Sequence, residues 1–280
     1  MNHSLKPPVE RLPHHGGVIR LVQVTDTHLS ENPGGMLLGM DTDQSLQHVI
    51  DRVKEERGTP DVLLLTGDLS DHGSASAYTR MDSYSRQLSD VSFWLPGNHD
   101  DFASMSETLA GTACMSSDIQ IGNWQIIMLD SQVPGQAGGA LGAGQLALLK
   151  AALQRASEVG LFTLVCLHHH PVKIGCAWLD EQMVADAAAF FEILDGYSGV
   201  KAVLWGHVHQ RVDKVRNGVA LMGSPSSCVQ FAPGSEQFKA DDSPPGYRWL
   251  DLLADGSIDT DVSRVEGVQF IVDLDSDGYL

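Results

Sequence analysis

Five short clusters carry residue types that bind metal ions or move protons: Asp26-Thr27-His28, Gly67-Asp68, Gly97-Asn98-His99-Asp100, His168-His169-His170-Pro171 and Gly206-His207-Val208-His209. Each has an ordinary explanation on its own. Asp26 or Asp68 would serve as a helix N-cap, Asn98 after Gly97 as a turn residue, and a buried histidine is commonly hydrogen-bonded to protein. Within G-H-x-H, residues two apart in extended chain point the same way, so His207 and His209 can face one site. Together, Asp26, His28, Asp68, Asn98, His168, His207 and His209 offer oxygen and nitrogen donors and no thiolate, a set suited to manganese, iron or zinc. Seven donors exceed what one tetrahedral zinc takes. With one carboxylate bridging, they suffice for two ions roughly 3.5–4 Å apart, the arrangement that serves in-line displacement at phosphorus.

Positioning such a set requires strands that end where the clusters begin. Ile19 to Thr25, Val62 to Leu65, Val91 to Leu95, Leu161 to Leu167 and Val200 to Trp205 read as strands, and each runs directly into one cluster. In open α/β sheets, ligands bind beyond the carboxyl ends of the strands. Helices are predicted over Asp41 to Arg57, Ser74 to Leu88, Gln145 to Ala156 and Asp180 to Leu194. A hairpin is predicted from Asp118 to Leu129, turning at Gly122-Asn123. From Arg211 onward the pattern becomes antiparallel β, with strands at Arg211 to Val215, Val219 to Met222, Tyr247 to Leu253 and Ser257 to Val262. No linker or repeat divides the chain, so one α/β domain with two packed sheets is expected. The loop Gly223 to Pro245 is rich in Ser, Pro and Gly and long enough that it is expected to be either functional or disordered.

The 280 residues carry 36 acidic and 18 basic side chains, for a formal charge of −18. That charge repels long nucleic acids and anionic membranes, and both are excluded as main partners. A small anionic substrate is compatible if metal ions supply local positive charge. The N-terminal stretch has no apolar core of a signal peptide, and no apolar run reaches membrane-spanning length. Cys114, Cys166, Cys176 and Cys228 form no C-x-x-C pair, as expected of reduced thiols in the cytoplasm.

The order D-x-H, G-D, G-N-H-D, H-x-x-P, G-H-x-H resembles the calcineurin-like metallophosphoesterase superfamily, and spans Asp26 to His209. Leu95 to Asp100 (LPGNHD), His168 to Pro171 (HHHP), Gly175 to Asp180 (GCAWLD), Ser226 to Phe231 (SSCVQF) and Pro245 to Arg248 (PGYR) are similar to the bacterial class III 3′,5′-cyclic AMP phosphodiesterases. The resemblance implies a single-domain four-layer αββα sandwich of two mixed β-sheets. It places the domain at residues 17–268, after a flexible N-terminal segment (1–16) and before an acidic C-terminal tail (269–280).

The resemblance also implies roles. Asp26, His28, Asp68 and His209 would hold one divalent ion, and Asp68, Asn98, His168 and His207 a second, with Asp68 bridging. Iron(II) and manganese(II) are the expected metals. His168 is chosen among the three histidines because the family ligand directly follows the strand; His169 and His170 are then supporting or substrate-facing. His99 would contact the phosphate and protonate the leaving oxygen, with Asp71 orienting it. His28, Asp68, Asn98, His99 and His209 would surround the substrate phosphate. The implied reaction is hydrolysis of 3′,5′-cyclic AMP to 5′-AMP by a metal-bridging hydroxide, in a monomer or homodimer. The alternatives on the same scaffold are a 2′,3′-cyclic nucleotide phosphodiesterase, a phosphomonoesterase or a nucleotide pyrophosphatase. A catalytically silent binding scaffold would show a missing ligand, and every motif position is intact.

Overall fold

The apolar runs of the sequence become the strands of two sheets in the computed structural model, which describes residues 8–278. Strand β1 (Glu10–Leu12) precedes β2 (Ile19–Val24), a short pair β3 (Met36–Leu37) and β4 (Met40–Asp41), helix α1 (Thr42–Arg57), β5 (Val62–Thr66), α2 (Ala75–Ser85), β6 (Ser92–Leu95) and α3 (Phe102–Thr108). The chain continues through β7 (Asp118–Ile121), β8 (Trp124–Met128), α4 (Gly142–Val159), β9 (Phe162–Cys166), α5 (Ala177–Asp180), α6 (Ala187–Leu194) and β10 (Val200–Trp205). It closes with β11 (Val212–Arg216), β12 (Val219–Gly223), β13 (Gln230–Phe231), β14 (Ala240–Asp241), β15 (Gly246–Leu252) and β16 (Ile258–Arg264).

One sheet has the order β16-β15-β2-β5-β6, the other β1-β7-β8-β9-β10-β12-β11, and both mix parallel and antiparallel pairs. Alternation along the strands sends one set of side chains into the space between the sheets. There Leu21, Leu64 and Phe93 meet Ile126, Leu164 and Leu204. The opposite set meets helices. Val22, Leu63 and Trp94 pack under Leu46, Val49, Met81 and Met105 of α1, α2 and α3. Val165, Val203 and Leu221 pack under Leu149, Leu153 and Phe190 of α4 and α6. Four layers, αββα, result. The fully buried Arg248 on β15 links the two sheets, donating to the carbonyl of Gly223 at 3.0 Å and pairing with Asp213 at 2.9 Å.

Three expectations change. The helix predicted over Asp180 to Leu194 forms only in its second half, as α6, because α5 ends at Asp180. Between them, Val184 and Ala185 donate their N–H groups to the carbonyls of His170 and Gly139, and the Asp186 carboxylate accepts from Leu141 and Gly142. Those bonds to distant loops replace the local ladder a continuous helix needs. The final third, expected as antiparallel β, contains one parallel pairing as well. Strand β12 adds parallel to β10, and β15 adds antiparallel to β2, so each sheet is completed by C-terminal chain. Of the flexible segment expected over 1–16, residues 1–7 lie outside the described residues, whereas β1 pairs with β7 at the edge of the larger sheet. In the expected acidic tail, residues 279–280 lie outside the described residues. Upstream, Phe270 and Val272 pack against Leu37, Met40 and Val229.

Candidate metal centre

The loops following β2, β5, β6, β9 and β10 converge at one end of the sandwich and bring the five clusters together. Local backbone geometry is unusual there. Asp26, His28, Asp68, His207 and His209 all have positive φ, between 46° and 64°. Non-glycine residues in this region cost of order 1 kcal/mol or more each, and persist where the surroundings over-determine them. Here Asp26 and His28 donate their N–H groups to the carbonyls of Gly67 and Asp68, both at 2.9 Å, which joins the first two loops. The chain also crowds closely. A Cβ on Gly97 would stand 2.2 Å from Asp68 Oδ1, and one on Gly206 2.7 Å from Asp26 Oδ2, so only glycine fits.

Asp26, His28 and His209 form one group, with His209 Nε2 3.3 Å from Asp26 Oδ1 and 3.4 Å from His28 Nε2. In a second group, His168 Nε2 lies 3.2 Å from both Asp68 Oδ2 and Asn98 Oδ1. Asp68 Oδ2 is also 3.9 Å from His28 Nε2, so this carboxylate stands between the groups. The tautomers follow from the remaining ring nitrogens. His168 Nδ1–H donates to the Thr66 carbonyl at 2.8 Å, and His209 Nδ1–H to the Val229 carbonyl at 2.7 Å. Each ring therefore turns its Nε2 inward, toward carboxylate, amide oxygen and other imidazole. Among the described residues, buried His207 Nε2 has no hydrogen-bond partner. A buried point ringed by acceptors is where a cation fits, and these residues suit a dinuclear divalent centre.

The electrostatics agree. Burial disfavours charge on both Asp68 and His168, yet their mutual attraction prevails: Asp68 is held well below the usual carboxylate range and His168 is pushed up to about 9. A proton on His168 thus offsets the carboxylates when no ion is present. Burial lowers His28, although Asp71 opposes it, and burial with neighbouring His169 and His168 holds His207 well below its ordinary value. Both rings are neutral, as metal coordination requires.

All seven sequence-selected donors meet here, and other expectations are refined. His99 donates its backbone N–H to Asp68 Oδ1 at 2.9 Å, and its ring packs edge-on against His28. Asp71 was expected to orient His99 through its carboxylate. Instead its backbone carbonyl holds His99 Nδ1–H at 3.1 Å, while its carboxylate lies nearer His28 Nδ1, at 3.5 Å, than His99, at 3.9 Å. His169 lies among the ligand-type groups with His168 and His207, but both its nitrogens are engaged. Nδ1 accepts from Ser131 Oγ at 2.8 Å, and Nε2–H donates to the Ala137 carbonyl at 3.2 Å. His170 stacks on His207 at 5.8 Å, and burial lowers it to about 4.

Sequence reasoning gave Asp100 no role. Its buried carboxylate accepts from the N–H groups of Gly97, Leu69 and Ser70 at 2.9–3.1 Å and from the Tyr78 hydroxyl at 3.0 Å, binding the Asp68 loop to the Asn98 loop. The aspartate ending G-N-H-D was the available signal. Beside His99 opens a cleft of about 490 Å³ between residues 71–73, 98–101 and 135–137. Among the described residues, no helix is long and apolar enough to cross a membrane.

A family model described as calcineurin-like phosphoesterase matches residues 19–211. The chain is 44% identical over 261 residues, 93% of its length and 95% of the relative's, to the 3′,5′-cyclic adenosine monophosphate phosphodiesterase CpdA of Pseudomonas aeruginosa. It is 38% identical to the CpdA enzyme of Escherichia coli K12, over 93% of this chain and 95% of that one. Among solved structures, a dimetal phosphatase from Danio rerio shares the fold with a TM-score of 0.63 at 13% identity, covering 92% of this chain and 99% of that one.

Proposed function

Because this chain belongs to the calcineurin-like phosphoesterase family, we propose that it is a metal-dependent phosphodiesterase that hydrolyses 3′,5′-cyclic AMP to 5′-AMP and lowers cellular cyclic AMP. The observation that carries this reading is the ring of inward-facing acceptors centred on Asp68, with His99 beside it. Asp26, His28, Asp68 and His209 would hold one ion; Asp68, Asn98, His168 and His207 the other. Iron(II) and manganese(II) suit these mixed oxygen and imidazole donors. When bound, two such ions supply Lewis acidity toward the phosphate and an activated water.

The chain's own groups do the rest. Thr66 and Val229 fix His168 and His209 through Nδ1 so that Nε2 points inward. With Nδ1–H held by the Asp71 carbonyl, His99 has Nε2 for a proton that passes to the departing 3′ oxygen. His28, Asp68, Asn98, His99 and His209 surround the phosphate. The acidic chain acts on a small substrate rather than on nucleic acid or a membrane surface, and works as a monomer or homodimer. Its free thiols at Cys114, Cys166, Cys176 and Cys228 suit the cytoplasm.

The test is a panel on metal-reconstituted protein: 3′,5′-cyclic AMP, cyclic GMP, 2′,3′-cyclic AMP, 5′-AMP and an aryl phosphodiester, with products separated by chromatography. Metal-dependent conversion of 3′,5′-cyclic AMP to 5′-AMP, with 5′-AMP left intact, is expected. A strong preference for 2′,3′-cyclic AMP or the aryl ester would overturn the substrate assignment.

A further inference from the structure

The cleft beside His99 has walls suited to a particular kind of group. Its volume, about 490 Å³, falls within the roughly 300–1,000 Å³ common for small-molecule sites. Asp71, His72 and Gly73 form one side and Gln136 with Ala137 the other, and no lysine or arginine lines it. A phosphate placed there, away from the ions, would face the Asp71 and Asp101 carboxylates with no lysine or arginine to pair with. Ribose hydroxyls and base amino groups would instead meet acceptors.

The Ala137 wall is held in place by contacts from the catalytic loops. His169 Nε2–H donates to the Ala137 carbonyl, while Ser131 Oγ donates to His169 Nδ1 and accepts the His169 N–H at 3.2 Å. The Gln132 amide donates to the carbonyls of Gly97 at 2.7 Å and Asp100 at 2.5 Å. Gly139 abuts the His169 ring, from which a Cβ there would stand only 2.5 Å away. The wall therefore has a defined position relative to the phosphate site, as a recognition surface requires. Direction follows from His99: if its Nε2 protonates the 3′ oxygen, the ribose bearing that oxygen lies on the His99 side.

We propose that this cleft is the subsite for the nucleoside half of the substrate, and that its walls, which hold no lysine or arginine, select esters carrying no further phosphate. The subsite deepens the cyclic AMP reading and rests on it. Ala137→Phe would fill the cleft, and Gln136→Trp, at an exposed position, is a second blocking variant should the first not fold. Two esters are compared: 3′,5′-cyclic AMP and trimethylene phosphate, a cyclic diester with no nucleoside. Expected is a fall of about tenfold or more in kcat/KM for cyclic AMP, carried by KM, with trimethylene phosphate unchanged. Adenosine binding, followed by NMR titration, should weaken in parallel. Gln136→Lys should strengthen competitive inhibition by ADP about fivefold. Equal losses on both esters, unaltered adenosine binding in both blocking variants, or ADP inhibition unmoved by the lysine would overturn the subsite. If wild-type protein cleaves trimethylene phosphate but not cyclic AMP, the proposed activity fails, and adenosine binding still decides the subsite.

Discussion

His28 Nε2 and His209 Nε2 stand 3.4 Å apart, each ring having its other nitrogen engaged elsewhere: His209 with the Val229 carbonyl, and His28 facing the Asp71 carboxylate at 3.5 Å. Two imidazole lone pairs so placed repel unless a cation or proton lies near both. Stripping metal with a chelator should therefore destabilise the protein. Each ion at a hundredfold excess over its Kd stabilises the fold by about 2.7 kcal/mol, roughly 5 °C of melting temperature at this chain length. Scanning calorimetry with and without chelator checks it; coincident melting curves would count against ion binding.

The proton on His168 makes metal loading depend on pH. Its folded pKa, about 9, lies above the ordinary 6.5. The stability this adds to metal-free protein is fully present below pH 6.5 and is lost as pH rises through about 9. A bound ion displaces that proton, so loading near pH 8 should release it and apparent affinity should climb with pH. Titration calorimetry in buffers of different ionisation enthalpy measures the proton count; none released would refute the assignment.

Asp68 lies between both groups, whereas His99 approaches through its backbone and ring. Asp68→Ala should lower metal content at both positions and cut activity about 10³-fold or more. His99→Ala should keep both ions while losing about 10²–10⁴-fold in kcat. Elemental analysis alongside kinetics separates the two; metal loss in the His99 variant would make it a ligand.

Adjacent histidines should behave oppositely. His168→Ala should deplete one ion, while His169→Ala should retain both, because Ser131 and Ala137 occupy its nitrogens. Metal content per chain is the readout, and depletion in the His169 variant would contradict the tautomer assigned here.

Asp100 tests how the loops are joined. Asp100→Asn places an amide N–H where a carboxylate oxygen accepts, and should cost about 1–3 kcal/mol. Denaturant unfolding measures this; a loss within error would mean that the Asp68 and Asn98 loops hold together without it.

Much of this was legible in the sequence because it is local. Alternation and apolar runs predicted the strands, Asp41 and Gly58 bounded α1 as a side-chain cap and a positive-φ stop, and each cluster followed its strand. Residue types alone specified the hard and intermediate donors and the absence of thiolate. Which nitrogen of which histidine turns inward was not legible. That choice rests on Thr66 from the opposite sheet beside His168, and on Ser131 and Val229, from loops after neighbouring strands of the same sheet, beside His169 and His209. The same holds for Asp71 serving His28 and for the break between α5 and α6, where loops distant in sequence take the backbone bonds. Sequence by itself determined the elements and the chemistry of the donors. Tertiary structure decided their orientation, because hydrogen-bond partners between 20 and 102 residues away leave no local pattern.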